Sequence, residues 1–287
     1  MTMKKIIFAS LAALSLAAPL QAQAQEAKLL GIKGLSANVG AVSDYRFRGI
    51  SQTFGKPAAQ FGVDYAHSSG LYVGNWNSQV NEGAGYPGGH WETDVYAGYK
   101  KGFGDLGLDV GVIYYGYPGS NSTSTRYQLR NTKTGDTFNG SVTNTEIYVG
   151  GSWKWFAAKY FYSIGDYFSM PGTSGSSYID LSANHELGDG WAINAHLGQL
   201  SVRGINTSTQ NYNYSDLKVG ATKDISGWVV GLSAILTTAK ADRCNLANFT
   251  AGTSGAYCFT DNLGSNVNYN VKNAGDSTVV LSVTKGF

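Results

Sequence analysis

The residues with the most chemical potential stand together in "SDYRFRGISQ", residues 43–52. Asp44 precedes Arg46 and Arg48, which alternate with Tyr45 and Phe47. Guanidinium groups interleaved with rings suit nucleic-acid binding, phosphate binding or a structural ion-pair lattice. The four histidines are His67, His90, His185 and His196. "HSS" at 67–69 invites comparison with a hydrolase, whose triad needs an oriented base and an oxyanion hole. Nothing in the sequence supplies either, and a serine at such a place forms a turn. "GFGDLG" at 102–107 has the spacing of a dinucleotide-binding loop, but that loop must open a helix. Here "LGLDVGV" continues with a period of two, so the glycines make a hairpin turn. No enzyme, cofactor or metal site is expected. Cys244 and Cys258 bound the polar segment "CNLANFTAGTSGAYC". In an exported chain a disulfide is expected there, contributing roughly 3 kcal/mol by loop closure. No histidine or further cysteine stands nearby to complete a zinc site.

Export is read from the first residues. Lys4 and Lys5, an apolar run from Ile6 to Leu20, and Ala22-Gln23-Ala24 form a leader with a small-x-small cleavage site. Residues 1–24 are expected to be a cleaved signal peptide, and residues 25–287 one domain. Of 21 basic and 19 acidic residues, the leader holds two lysines, so the rest is balanced. That balance argues against a nucleic-acid partner. The 287 residues include 38 glycines and 19 tyrosines but only 14% charged residues. An exported chain of this composition suits a secreted sandwich or an outer-membrane barrel.

The elements that position these residues count by twos. "LSANVGAV", "QFGVDY", "HWETDVYAGY", "LGLDVGVIYY", "TEIYVG", "AKYFYSI", "YIDLSAN", "WAINAHL", "DLKVGAT", "WVVGLSAIL" and "TVVLSVTKGF" all alternate. "LYVGNWNSQ" has no clear apolar parity, since Leu71 and Val73 compete with Tyr72 and Trp76. That makes twelve strands. The links alternate as well: long around 49–57, 80–89, 116–143, 165–176, 200–213 and 238–276, short at "SSG", "KGFGD", "KWF", "ELGDG" and "DISG". Such sorting predicts an all-β, up-and-down antiparallel transmembrane barrel with short periplasmic turns and long extracellular loops.

The two faces differ in charge. The apolar parity carries Lys285 alone, and aromatics recur at its strand ends: Trp91, Tyr99, Tyr114, Trp191, Trp228 and Phe287. Those are the girdles of a lipid-facing surface. The opposite parity carries Asp64, Glu92, Asp94, Asp109, Glu146, Lys159, Asp180, His196, Asp216 and Lys218. With Asp44, Arg46 and Arg48 they are the expected pore-lining residues. Glycines recur on that side and should leave it sparsely filled. Acids outnumber bases there, which would favour cations in an open pore. The terminal Phe287 is the expected signal to the barrel assembly machinery.

"SANVGAVSDYRFRGISQ", "FGVDYAHSSGLYVGNW", "DVYAGYK", "LDVGVIYYGYPG", "TEIYVGGSWKWFAAKYFYS" and "DLKVGATKDISGW" together resemble the TorF-type porin family of proteobacterial outer membranes. The likeness runs over nearly the whole mature chain. It implies a barrel that passes small solutes, offers no established site residues, and does not extend to the cysteine-bearing segment from about 238 to 276. The expected function is therefore a diffusion channel for small hydrophilic solutes in the Gram-negative outer membrane, with lipid as its surroundings. The alternative is a closed barrel with a structural or surface-binding role through its loops. Continuing the first strand's count puts Tyr45 and Phe47 outward in the girdle. Asp44, Arg46 and Arg48 would then line the mouth, either bracing the wall or forming a positive constriction.

Overall fold

The computed structural model describes residues 28–122, 129–130, 133–207, 210–245, 255–261 and 270–287. The expected signal peptide lies outside them. Twelve antiparallel strands close a barrel, each paired with its chain neighbours. They are β1 (Leu35–Val42), β2 (Ala58–Ala66), β3 (Leu71–Gln79), β4 (Trp91–Phe103), β5 (Leu106–Gly116) and β6 (Thr143–Trp153). The second half comprises β7 (Phe156–Ser163), β8 (Ser177–Gly188), β9 (Trp191–Ser201), β10 (Tyr214–Ile225), β11 (Trp228–Thr237) and β12 (Thr278–Gly286). β12 closes on β1 from Ser282 opposite Val42 to Gly286 opposite Asn38. Phe287 extends the seam by exchanging backbone hydrogen bonds with Ala37. Closure leaves the sheet no edge.

Alternation decides what each strand buries. Val39, Phe61, Val95, Val112, Ile147 and Leu232 stand outward and exposed, while their neighbours point in. β3, ambiguous by parity, turns Leu71 and Val73 outward and Tyr72 and Trp76 inward. A belt of exposed apolar side chains around a closed sheet is the surface expected to meet hydrocarbon rather than water. Tight turns join one end. Asp189-Gly190 (φ 49° and 77°) and Ser226-Gly227 (φ 55° and 81°) have the paired positive φ of two-residue hairpin loops. The other end carries the long loops, braced by short 3₁₀ turns at Glu82–Ala84 and Tyr167–Ser169.

The first strand departs from expectation. It ends at Val42, and the chain then folds into the barrel instead of continuing to its rim. Arg46–Phe47 pairs with Ile50–Ser51 as a small hairpin whose tip is Arg48-Gly49, with φ of 49° and 80°. Tyr45 and Phe47 are buried, not members of an outward girdle. Alternation reads the same whether a ring meets lipid or the barrel's own interior, and here the interior offered Trp76, Tyr115 and Phe168 as partners.

Candidate functional site

The interior wall is built by pairing small residues with large ones. Gly98 lies opposite Tyr72, Gly74 opposite Tyr96, and Gly111 opposite Tyr148. A Cβ on Gly98 would stand 2.5 Å from the Tyr72 hydroxyl and 2.5 Å from the Val110 carbonyl oxygen. The glycines therefore do not leave the face sparsely filled. Each makes room for a tyrosine ring from the next strand, a pairing known to stabilise sheets.

The rings carry hydroxyls to the inward acids. Tyr72 donates to Asp109 Oδ1 at 2.7 Å, Tyr96 to Asp64 Oδ1 at 2.6 Å, and Tyr178 to Asp216 Oδ1 at 2.8 Å. The Tyr72 and Tyr148 hydroxyls also bond each other. Lys159 Nζ stands 2.7 Å from Asp109 Oδ2 and over the Tyr148 ring. His196 sits between two carboxylates, Nε2 at 2.8 Å from Asp216 and Nδ1 at 3.3 Å from Asp180. Lys218 lies opposite His196 across the β9–β10 ladder, and Lys100 lies opposite Asp109. Lys100 is an inward cation that parity implies once β4 runs past Tyr99. The wall from β4 to β10 is thus a belt of alternating sign, and the expected excess of acids is largely offset within it.

The inner hairpin spans the bore above this belt. Arg48 at its tip donates to Glu146 with both terminal nitrogens, Nη1 to Oε1 at 3.0 Å and Nη2 to Oε2 at 2.7 Å. Its guanidinium is sandwiched by the Phe47 and Tyr178 rings, 4.8 and 4.2 Å from their centroids. Its own carbonyl accepts from the Tyr214 hydroxyl at 2.8 Å. One residue therefore ties β10 to β6 across the interior. A Cβ on Gly49 would meet Thr237 and Asp216 within 3 Å, so the tip presses against β10 and β11. Tyr45 donates to Glu92 Oε1 on β4 at 3.0 Å. Burial, with Glu92 and Asp94 nearby, holds that phenol well above its usual range, so it remains a donor. Arg46 pairs with Asp44 at 2.6 Å and donates to the carbonyls of Ala274 and Asp276 in the last loop, at 2.9 and 3.0 Å. Asp44 also accepts from Ser51 and Thr53. These bonds bend the chain inward where the first strand was expected to continue with Tyr45 and Phe47 outward. Arg46 and Arg48 are 1% and 3% exposed, so the geometry carries the bracing alternative rather than a constriction open to solvent.

Two tiers result. In the long-loop half, Glu92, Asp94 and Glu146 are 0% exposed, and Tyr115, Asn144, Ser163 and Leu200 are buried with them. Asp94 lies beside Glu92, and among the described residues no donor reaches either of its oxygens. In the short-turn half, the inward Asn38, Asp64, Asn184, Asn194, Gly220, Ser282 and Thr284 remain partly exposed. The Lys159 and Asp180 side chains there are 18% and 19% exposed. Of the predicted residues, Asp44, Arg46, Arg48, Glu92, Asp94 and Glu146 gather at the hairpin. Asp64, Asp109, Lys159, Asp180, His196, Asp216 and Lys218 lie on the wall below or beside it. Cys244 and Cys258 are joined by a disulfide in the last loop, their Cα atoms 5.3 Å apart. The tyrosines were missed, although Tyr72, Tyr96 and Tyr148 each sit opposite a glycine, a pattern legible once register is fixed.

A family model described as "bacterial protein of unknown function (Gcw_chp)" matches residues 26–287. The chain belongs to that family. Comparison with curated proteins by sequence gives no match. Among solved structures the chain is similar to one titled "KdgM porin", at 8% identity over 88% of this chain and 99% of that one, TM-score 0.46. It is also similar to the NanC porin at 10% identity, 88% and 98% coverage and TM-score 0.49. OpdL of Pseudomonas aeruginosa is similar at 12% identity, 90% and 68% coverage and TM-score 0.36. Likeness of this degree concerns the barrel form only.

Proposed function

We propose that the protein is an outer-membrane barrel of the porin type, in which small hydrophilic solutes pass when the inner hairpin leaves the bore. The supporting observation is the two-tier interior. The short-turn half has a polar lining in which amides, hydroxyls and Asp64 are partly exposed beside the buried Tyr72–Asp109 pair, and among the described residues the hairpin and its partners fill the half above it. A barrel meant to stay shut could fill both halves with apolar side chains at lower cost than buried ions. The resemblance to TorF-type porins supports the same reading, as does the outward apolar belt for a Gram-negative outer membrane. The reaction is diffusion, with no catalytic step. The inward residues from Asp64 to Lys218 act as lining, and Phe287 in the closing seam serves barrel assembly. Liposomes loaded with an impermeant polymer test it: those holding a variant with residues 44–53 replaced by a Gly-Ser linker should swell in small sugars. Failure of that variant to swell, with the barrel folded, would remove the channel reading.

The second reading, a closed barrel acting through its loops, is favoured by one observation. The bidentate Arg48–Glu146 pair is fully enclosed, which suits a permanent plug. On that reading, shortening the last loop abolishes surface binding and leaves the barrel intact.

A further inference from the structure

The outward face of the twelve strands carries charge at three places only: Lys101, Lys223 and Lys285. All three are lysines, and all three lie at the short-turn end. Lys223 is the cross-strand partner of Trp191, and Lys285 of Trp228. Each ammonium stands over its indole, at 5.0 and 5.6 Å from the ring centroid. Lys101 stands 5.6 Å from the Phe103 ring two residues along its own strand, and Lys154 in the next turn 5.0 Å from Trp153. The opposite rim has no counterpart. Its outward positions hold neutral polar residues such as Gln79, Thr93, Thr145, Gln199 and Ser215.

We propose that the short-turn rim is a binding surface for the phosphate head groups of anionic glycerophospholipids. The inference rests on the reading that the outward face meets lipid. An aromatic ring at the edge of an apolar band sits at head-group depth. An ammonium over that ring keeps a favourable partner while partly desolvated. Lys223 also donates to the Asp189 carbonyl at 2.5 Å and Lys285 to the Ser226 carbonyl at 3.1 Å. An ammonium has three donors, so one bond to a turn carbonyl fixes its position without exhausting it. No acid stands at an outward position of the strands beside these lysines; Asp105, Glu186, Asp189 and Asp224 are exposed in or next to the short turns instead. On the outward strand face the cations, held over rings at one depth, complement a layer of phosphodiesters. At the opposite rim the outward strand positions are neutral and the charges lie in the long loops, so only the short-turn end sets lysines against rings on the strand face.

The test uses the full barrel refolded into vesicles and reads its tryptophans, four of which, Trp153, Trp155, Trp191 and Trp228, are exposed at this rim. Brominated phosphatidylglycerol and brominated phosphatidylcholine are compared as quenchers at equal mole fraction and low salt. The wild type should prefer the glycerol lipid by about fivefold, the effect of roughly one lysine at an anionic surface. The preference should shrink at high salt. The variant Lys101→Gln/Lys223→Gln/Lys285→Gln should lose it, while quenching by the choline lipid stays as in the wild type. Equal quenching by both lipids in the wild type, or an undiminished preference in the folded triple variant, overturns the proposal. Quenching by neither lipid overturns the membrane reading and the proposal with it.

Discussion

Arg48 is the residue on which the interior turns. Its guanidinium is enclosed by rings, and both of its terminal nitrogens are spent on Glu146. Removing one member of an enclosed ion pair strands the other charge, at a cost of about 3–5 kcal/mol, whereas replacing both with apolar side chains is far milder. Arg48→Met should therefore lower the unfolding free energy of the detergent-refolded barrel by about that amount. Adding Glu146→Leu should recover most of it, and denaturant titration of the two variants measures the difference. Asp94 makes the opposite prediction. It is buried beside Glu92, and no donor among the described residues reaches it. Asp94→Asn should stabilise the same barrel by about 1–3 kcal/mol at neutral pH. At this scale the sequence was partly legible. The parity of Asp64, Asp109 and Asp180 assigned them to the interior without knowledge of the fold. The partners of Arg46 were not legible, because the carbonyls of Ala274 and Asp276 lie more than two hundred residues along the chain.

At the scale of elements, the strands follow from alternation and the turns from glycine, so both were readable in advance. Two features were not. β4 and β10 run past the residues where apolar alternation was counted, which hid Lys100 inside and Lys101 and Lys223 outside. The inner hairpin was read as a continuation of β1, since a ring buried under a loop and a ring facing lipid leave the same pattern. Pairing of glycine with tyrosine is likewise a property of two strands in register, invisible along one. It yields a prediction with its own control. Gly98→Ala places a methyl against the Tyr72 hydroxyl and a backbone carbonyl, and should cost about 1–3 kcal/mol. Gly151→Ala, on the outward face with its nearest neighbour 3.8 Å away, should change stability by less than about 0.5 kcal/mol. Heat-modifiable mobility on gels, scanned against temperature, ranks the two.

For the whole molecule, the balance lies between a lower half whose polar lining is partly exposed and a closed upper half. The hairpin touches β4, β6, β10, β11 and the last loop. No single strand holds it, and its release would expose Glu92, Asp94 and Glu146 together. Water would then solvate three carboxylates around the opened bore, so the freed channel should select cations. The measurement that bears most directly on this account is single-channel conductance in planar bilayers. It compares the wild type with the variant in which residues 44–53 are replaced by a flexible linker. The account predicts a wild type that is closed for most of the record and a variant that is open, ohmic and cation-selective. A folded variant as silent as the wild type, or a wild type already conducting as fully as the variant, would contradict it.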